Sequence, residues 1–114
     1  MSEIPDAGDL VWVNFNPQAG HEQAGHRSAL VLSPRAYHEK TSLALVCPIT
    51  SNVKPYPFKV MLPAESPISG AVLADRAKSI DRNARQLKVA GAVPWSILLE
   101  VQTKLAALIG IDPR

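Results

Sequence analysis

A single cysteine, Cys47, stands alone among 114 residues, so no disulfide can close within the chain. It falls in the apolar run Leu43 to Ile49, where a small buried side chain is expected rather than a reactive thiol. Three scattered histidines and that cysteine make no ligand spacing, so neither a structural metal nor a cofactor is expected. No apolar stretch approaches the roughly 18 residues that a membrane helix needs. The first eight residues are acidic and lack the basic start of a secretory leader, which predicts a cytoplasmic protein with no membrane partner. Internal repeats are absent. The six aromatic residues, Trp12, Phe15, Tyr37, Tyr56, Phe58 and Trp95, do not cluster as they do in grooves that bind proline-rich peptides.

What the chain does have is core material. With 46% hydrophobic and 19% charged residues it suits one domain, residues 1–114, and is not a disordered chain. The net charge of +2 is too small to imply a polyanionic partner by itself, so its distribution decides. Between Arg76 and Lys88 five cations (Arg76, Lys78, Arg82, Arg85, Lys88) face one anion, Asp81. That segment is able to hold a polyanion on one face.

The apolar pattern predicts strands at Leu10 to Phe15, Ser28 to Leu32, Ser42 to Ile49 and Phe58 to Leu62. One or two more are expected over Ala71 to Ala74 and Ala77 to Ile80, with an edge strand at Val89 to Val93. The third is nearly all apolar and is expected at the centre, buried on both faces. Arg35 to Lys40 suits a short helical turn. Pro94 and Gly110 bracket one convincing helix, Trp95 to Ile109, with Leu98, Val101, Leu105 and Leu108 on one face and an exposed Glu100–Lys104 pair. Short strands with one terminal helix and no helical crossovers predict a mostly β fold, a small SH3-like β-barrel with the helix packed on it. The stretch from Asn16 to His26 is long for a hairpin connection, and loops of that length in small domains are usually functional. It places His21, Glu22, His26 and Arg27 around Gly20 and Gly25, directly before a buried strand.

These motifs carry a resemblance. Gly8-Asp9-Leu10-Val11-Trp12-Val13-Asn14-Phe15-Asn16-Pro17, then Glu22-Gln23-Ala24-Gly25-His26-Arg27, Cys47-Pro48-Ile49-Thr50-Ser51 and Gly70-Ala71-Val72-Leu73-Ala74-Asp75-Arg76 follow the order and spacing of the MazF/PemK family of bacterial toxins. The resemblance spans about Gly8 to Ile109 and implies the same PemK/CcdB-like barrel. It further implies the toxin of a type II toxin–antitoxin pair: a homodimeric, metal-independent endoribonuclease that cuts single-stranded RNA at chosen sequences. The expected products carry a 2′,3′-cyclic phosphate and a 5′-hydroxyl. An acidic, disordered segment of the antitoxin is expected to cover the basic site.

Such cleavage needs a group to accept the 2′-hydroxyl proton, one to stabilise charge on phosphate, and one to protonate the leaving oxygen. Arg27 matches the family's principal catalytic residue and suits charge stabilisation, since a guanidinium contacts two phosphate oxygens at once. Thr50 matches the second catalytic position. Glu22 lies in the family's Glu-Gln-x-Gly-x-Arg pattern, and the base is open among Glu22, His21 and Arg27. An assignment used for some members employs an aspartate, here Asp75, with an arginine two residues earlier. Leu73 occupies that earlier position, so Asp75 is expected only to contact RNA. His21, Gln23, His26, Ser51, Tyr56, Arg76, Lys78, Arg82 and Arg85 complete the expected substrate contacts, Tyr56 by stacking on an unpaired base. Ser28 replaces the proline that usually follows the arginine, which frees the backbone there. Trp12, Trp95 and Phe15 are expected in the core or at an interface. Two other readings compete: a CcdB-like poison of DNA gyrase on the same fold, which needs no reactive loop, and an SH3-like peptide-binding module.

Overall fold

The computed structural model describes residues 4–14 and 26–111. Seven strands and two helices follow in order: β1 (Asp9–Asn14), β2 (His26–Val31), α1 (Arg35–His38), β3 (Leu43–Thr50), β4 (Lys59–Met61), β5 (Ala71–Leu73), β6 (Lys78–Asp81), β7 (Lys88–Ala92) and α2 (Trp95–Leu108). A 3-10 turn, Ala74–Arg76, separates β5 from β6. The expected elements are all present, and the segment over residues 71–80 resolves into two strands because that turn breaks it.

The strands pair in the order β4-β5-β3-β2-β1-β7, all antiparallel, with β6 also on β3. β3 is the central strand, as its composition predicted. On one edge it meets β2. On the other, Leu43 to Val46 pair with β6, whereas Ile49 and Thr50 pair with β5. Cys47 and Pro48 lie between those two ladders. A proline inside a central strand costs a ladder hydrogen bond, and the interruption of pairing is where it is tolerated. Among the described residues the ladder does not close on itself, so the expected barrel is a strongly bent, open sheet.

Strand alternation sorts the interior into two cores. Leu10, Leu30 and Cys47 point to the side where Leu98 and Val101 of α2 pack, together with Val60 and Val72. Val11, Val13, Ala29, Val31, Ala44 and Val46 point to the opposite side, against Ile80 and Leu87. Both sheet faces are thus dry around β3. Helix α2 begins after Pro94 and ends in a Schellman motif: Gly110 has a φ of +86°, and the amides of Gly110 and Ile111 donate to the carbonyls of Ala107 and Ala106. Leu98 and Val101 are buried, but Leu108, expected on the same face, is exposed because the last turn runs past the sheet. Lys104 does not serve the expected pair with Glu100; its ammonium donates to the Pro57 carbonyl at 2.7 Å.

His38 is only 2% exposed and holds three parts of the chain together. Its Nδ1 lies 2.7 Å from the Pro5 carbonyl, which can only accept, so that nitrogen carries the proton. In the neutral ring Nε2 then accepts from the Ser33 hydroxyl at 2.7 Å, while Ser33 Oγ accepts from the Leu45 amide at 2.8 Å. Beside this chain, Asp6 accepts from the amides of Arg35 and Ala7, and these two bonds hold its carboxyl below the usual carboxylate range. The N-terminal segment is therefore sewn to α1 and β3 by polar contacts. Replacing His38 with alanine strips the Pro5 carbonyl and the Ser33 hydroxyl of a partner and leaves a cavity. We expect His38→Ala to lose about 3 kcal/mol, read as a lower urea midpoint at unchanged m.

Candidate active site

The β2–β3 ladder runs from Val31–Val46 to Ala29–Pro48. Two residues further along each strand stand Arg27 and Thr50. Continuing the register would set the two opposite each other, and both line the same opening. Among the described residues the β2–β3 ladder goes no further than Ala29–Pro48, while Ile49 and Thr50 pair with β5 on the other edge. The opening is a cleft of about 520 Å³ whose lining includes Arg27 and Ser28 on one lip and Pro48, Ile49, Thr50 and Ser51 on the other. Trp12, Ser69, Leu73, Arg76 and Lys78 complete it.

Each lip is fixed by a different device. Arg27 lies opposite Val13 in the β1–β2 ladder and Ser28 lies opposite Trp12, so pairing runs unbroken through the position where proline is usual in the family. Thr50 is held by its own backbone. A side chain at Gly70, whose φ is +126°, would place its Cβ 2.3 Å from the Thr50 carbonyl oxygen. Only glycine lets the two segments approach so closely. The Thr50 hydroxyl accepts from the Asn52 amide at 3.1 Å, which leaves its hydrogen available to a group in the cleft.

Among the described residues three cations, Arg27, Arg76 and Lys78, line the opening, and no carboxylate does. Such a lining favours an anion, and one with several oxygens to share. Asp75 and Tyr56 stand next to it: Asp75 lies between the lining residues Leu73 and Arg76, and the Tyr56 hydroxyl donates to its Oδ2 at 2.8 Å. The other carboxylate oxygen, Oδ1, is buried with no partner among the described residues. The hydrogen bond and the negative charge of Asp75 push the Tyr56 phenol above its ordinary pKa.

Of the residues expected from the sequence, Arg27, Thr50, Ser51, Arg76 and Lys78 come together in the cleft. Glu22, His21 and Gln23 lie outside the described residues, as does the side chain of His26. Arg82 does not line the cleft. Its guanidinium donates to the carbonyls of His38 and Thr41 at 2.7 and 2.9 Å, where α1 ends and leaves carbonyls unpaired. It clamps the α1–β3 connection. Arg85 is half-buried where β1 ends, its carbonyl accepting from the Asn14 amide at 2.8 Å, and it does not line the cleft. Cys47 is buried, and burial, aided by the charge of Asp75, pushes its thiol up to about 12, so it stays protonated and is no nucleophile. Among the described residues no three His, Cys, Asp or Glu side chains are grouped to hold a metal.

Residues 6–109 match the family of PemK-like, MazF-like toxins of type II toxin–antitoxin systems. The chain belongs to this MazF/PemK family. It is 46% identical over 107 residues to the endoribonuclease toxin MazF of Escherichia coli K12, covering 94% of this chain and 96% of that one. Endoribonuclease PemK of Escherichia coli is 33% identical over 108 residues, covering 91% and 81%. In the crystal structure of MazE–MazF (Form-II) from Deinococcus radiodurans, a chain 51% identical superposes with a TM-score of 0.92, over 97% of this chain and 100% of that one.

Trp12 is one of the cleft residues of this MazF/PemK member that its sequence concealed, with Pro48, Ile49, Ser69 and Leu73. In a strand of alternating apolar residues a tryptophan reads as core, yet it is 39% exposed because it lies opposite Ser28 at the mouth of the cleft. Only the pairing register reveals this. Two outcomes test the geometry. Gly70→Ala should lower stability by about 2–3 kcal/mol, measured by thermal unfolding, through collision with the Thr50 carbonyl. In a Tyr37→Phe background, ultraviolet titration should place the Tyr56 phenol above its usual value of about 10, and Asp75→Ala should bring it back down. Since the folded value is raised, the stability this contact supplies is present below the ordinary phenol pKa and disappears as pH rises through the folded value.

Proposed function

We propose that this MazF-type endoribonuclease toxin cleaves single-stranded RNA at a preferred short sequence without a metal, leaving a 2′,3′-cyclic phosphate and a 5′-hydroxyl. The observation that carries this reading is the placement of Arg27 and Thr50 on the two lips of a cleft that also holds Arg76 and Lys78. A phosphodiester seated there meets cations on both sides. As the ribose 2′-oxygen bonds to phosphorus and the bond from phosphorus to the 5′-oxygen breaks, charge grows on the phosphate oxygens. Arg27 stabilises that charge with two N–H groups aimed at one phosphate. Thr50 donates its free hydroxyl hydrogen to the same phosphate. The 2′-proton passes to Glu22 or His21, since the Arg27 guanidinium is already protonated, and the departing 5′-oxygen takes its proton from solvent water.

Arg76 and Lys78 hold the neighbouring phosphates, and the half-exposed ring of Tyr56 offers a base a surface to stack on. Selection among bases then depends on Asp75 and on the residues that follow β1. A cleft with this charge also fits an acidic, disordered antitoxin segment, which inhibits by occupying the RNA path. The toxin acts in the cytoplasm as a homodimer, for which α2 supplies exposed apolar side chains in Trp95 and Leu99.

Incubation of the purified protein with mixed-sequence single-stranded RNA in EDTA, beside Arg27→Ala, tests the reading. The wild type should cut at one short sequence and leave cyclic-phosphate ends, with Arg27→Ala slower by about a thousandfold. Cleavage that requires added metal, ends bearing a 5′-phosphate, or an Arg27→Ala protein as fast as wild type would overturn it.

A further inference from the structure

Thr50 is the last residue of β3, and what holds its hydroxyl in place lies in the next four residues and in β4. The Asn52 amide donates to Thr50 Oγ1 at 3.1 Å, and the Lys54 amide donates to Asn52 Oδ1 at 3.1 Å. These are two consecutive turns, each closed by a side chain on an amide two residues ahead. Their carbonyls would otherwise face solvent, and such turns on exposed residues are weakly held. Ser51, Asn52, Val53 and Lys54 are all exposed.

One side chain gathers them. Lys59, at the start of β4, is half-buried, and its ammonium donates to the carbonyl of Asn52 at 2.7 Å and to that of Lys54 at 2.9 Å. β4 is itself anchored by three paired positions on β5, the strand that also pairs with Thr50. Lys59 thus bridges a rigid ladder to the turn whose amide orients the catalytic hydroxyl. It does not line the cleft, although its net charge would suit RNA.

We propose that Lys59 is a positioning residue for catalysis: by clamping the Asn52 and Lys54 carbonyls it fixes the Asn52 amide on Thr50 Oγ1, and so aims the Thr50 hydroxyl hydrogen into the cleft. Without the clamp the turn opens, the hydroxyl rotates freely, and the hydrogen that should meet the phosphate in the transition state is misdirected. Such a loss falls on kcat and spares KM, because the interaction strengthens only as charge develops. A lysine that merely attracted RNA would show the reverse. This inference rests on the proposed role of Thr50.

The test is a double-mutant cycle on one cleavable RNA, measuring kcat and KM for Lys59→Met and Lys59→Arg with either Thr50 or Thr50→Val. Lys59→Met should lower kcat about tenfold with KM within about twofold, as expected for a misplaced transition-state contact. Lys59→Arg, which keeps the donors, should recover most of it. In the Thr50→Val background Lys59→Met should change kcat by less than about twofold, because the two act as a unit. If Lys59→Met does not fold by circular dichroism, Lys59→Gln, neutral but shorter, supplies the comparison. An unchanged kcat in the Lys59 variants, a rise in KM alone, or an equal loss in both backgrounds overturns the proposal. Full activity of Thr50→Val would instead remove the role of Thr50, a separate result.

Discussion

The structure depends on one strand changing partners. β3 leaves β6 after Val46 and joins β5 at Ile49, and the two residues between those ladders include a proline that could not have served either. While its far edge switches, its near edge stays on β2 only as far as Pro48. Among the described residues the β2–β3 ladder goes no further, and the cleft lies at that end, between Arg27 and Ser28 on β2 and Pro48 to Thr50 on β3. Gly70 is the residue that permits the switch, since any larger side chain would push β5 off the Thr50 carbonyl.

This arrangement also sorts the charges. Five cations fall close together between Arg76 and Lys88, but the fold treats them differently. Arg76, on the 3-10 turn, and Lys78, at the start of β6, reach the cleft. Arg82, at the end of β6, is drawn to the carbonyls that end α1, where its two bonds replace partners a short helix cannot supply itself. Local charge density told that a polyanion could be held, and backbone geometry decided which of these residues face the cleft. Arginine is well suited to either duty, because its donors match carbonyl pairs and phosphate oxygens alike.

Much of this was legible before any coordinates. Alternation in β1 and β2, the apolar composition of β3 and the bracketing of α2 by Pro94 and Gly110 are local signals, and the elements they announce are present. Arg27 and Thr50 were found through the family resemblance; from residues alone one is a surface arginine at a strand start and the other a strand-end hydroxyl. Hidden from sequence were the features that need long-range register. Trp12 opens to the cleft because of what lies across from it, and His38 is buried because Pro5, Ser33 and Leu45 converge on it from three segments. Lys104, four residues from Glu100, fitted a helical ion pair, yet a nearby carbonyl at the end of a proline-rich loop was the better partner. An exposed ion pair is worth so little that such competition is easily lost.

Cys47 sits in the gap between the two ladders on β3, wholly buried, beneath the Ala74 carbonyl at the start of the 3-10 turn that carries Asp75 and Arg76 into place. It is the chain's one thiol. A thiol-specific reagent can therefore reach it only when the sheet opens at the fork, and at reagent concentrations where reaction outpaces reclosing the rate of labelling is the rate of opening. The protein carries, at the seam beside its cleft, a built-in clock for how often that seam comes apart.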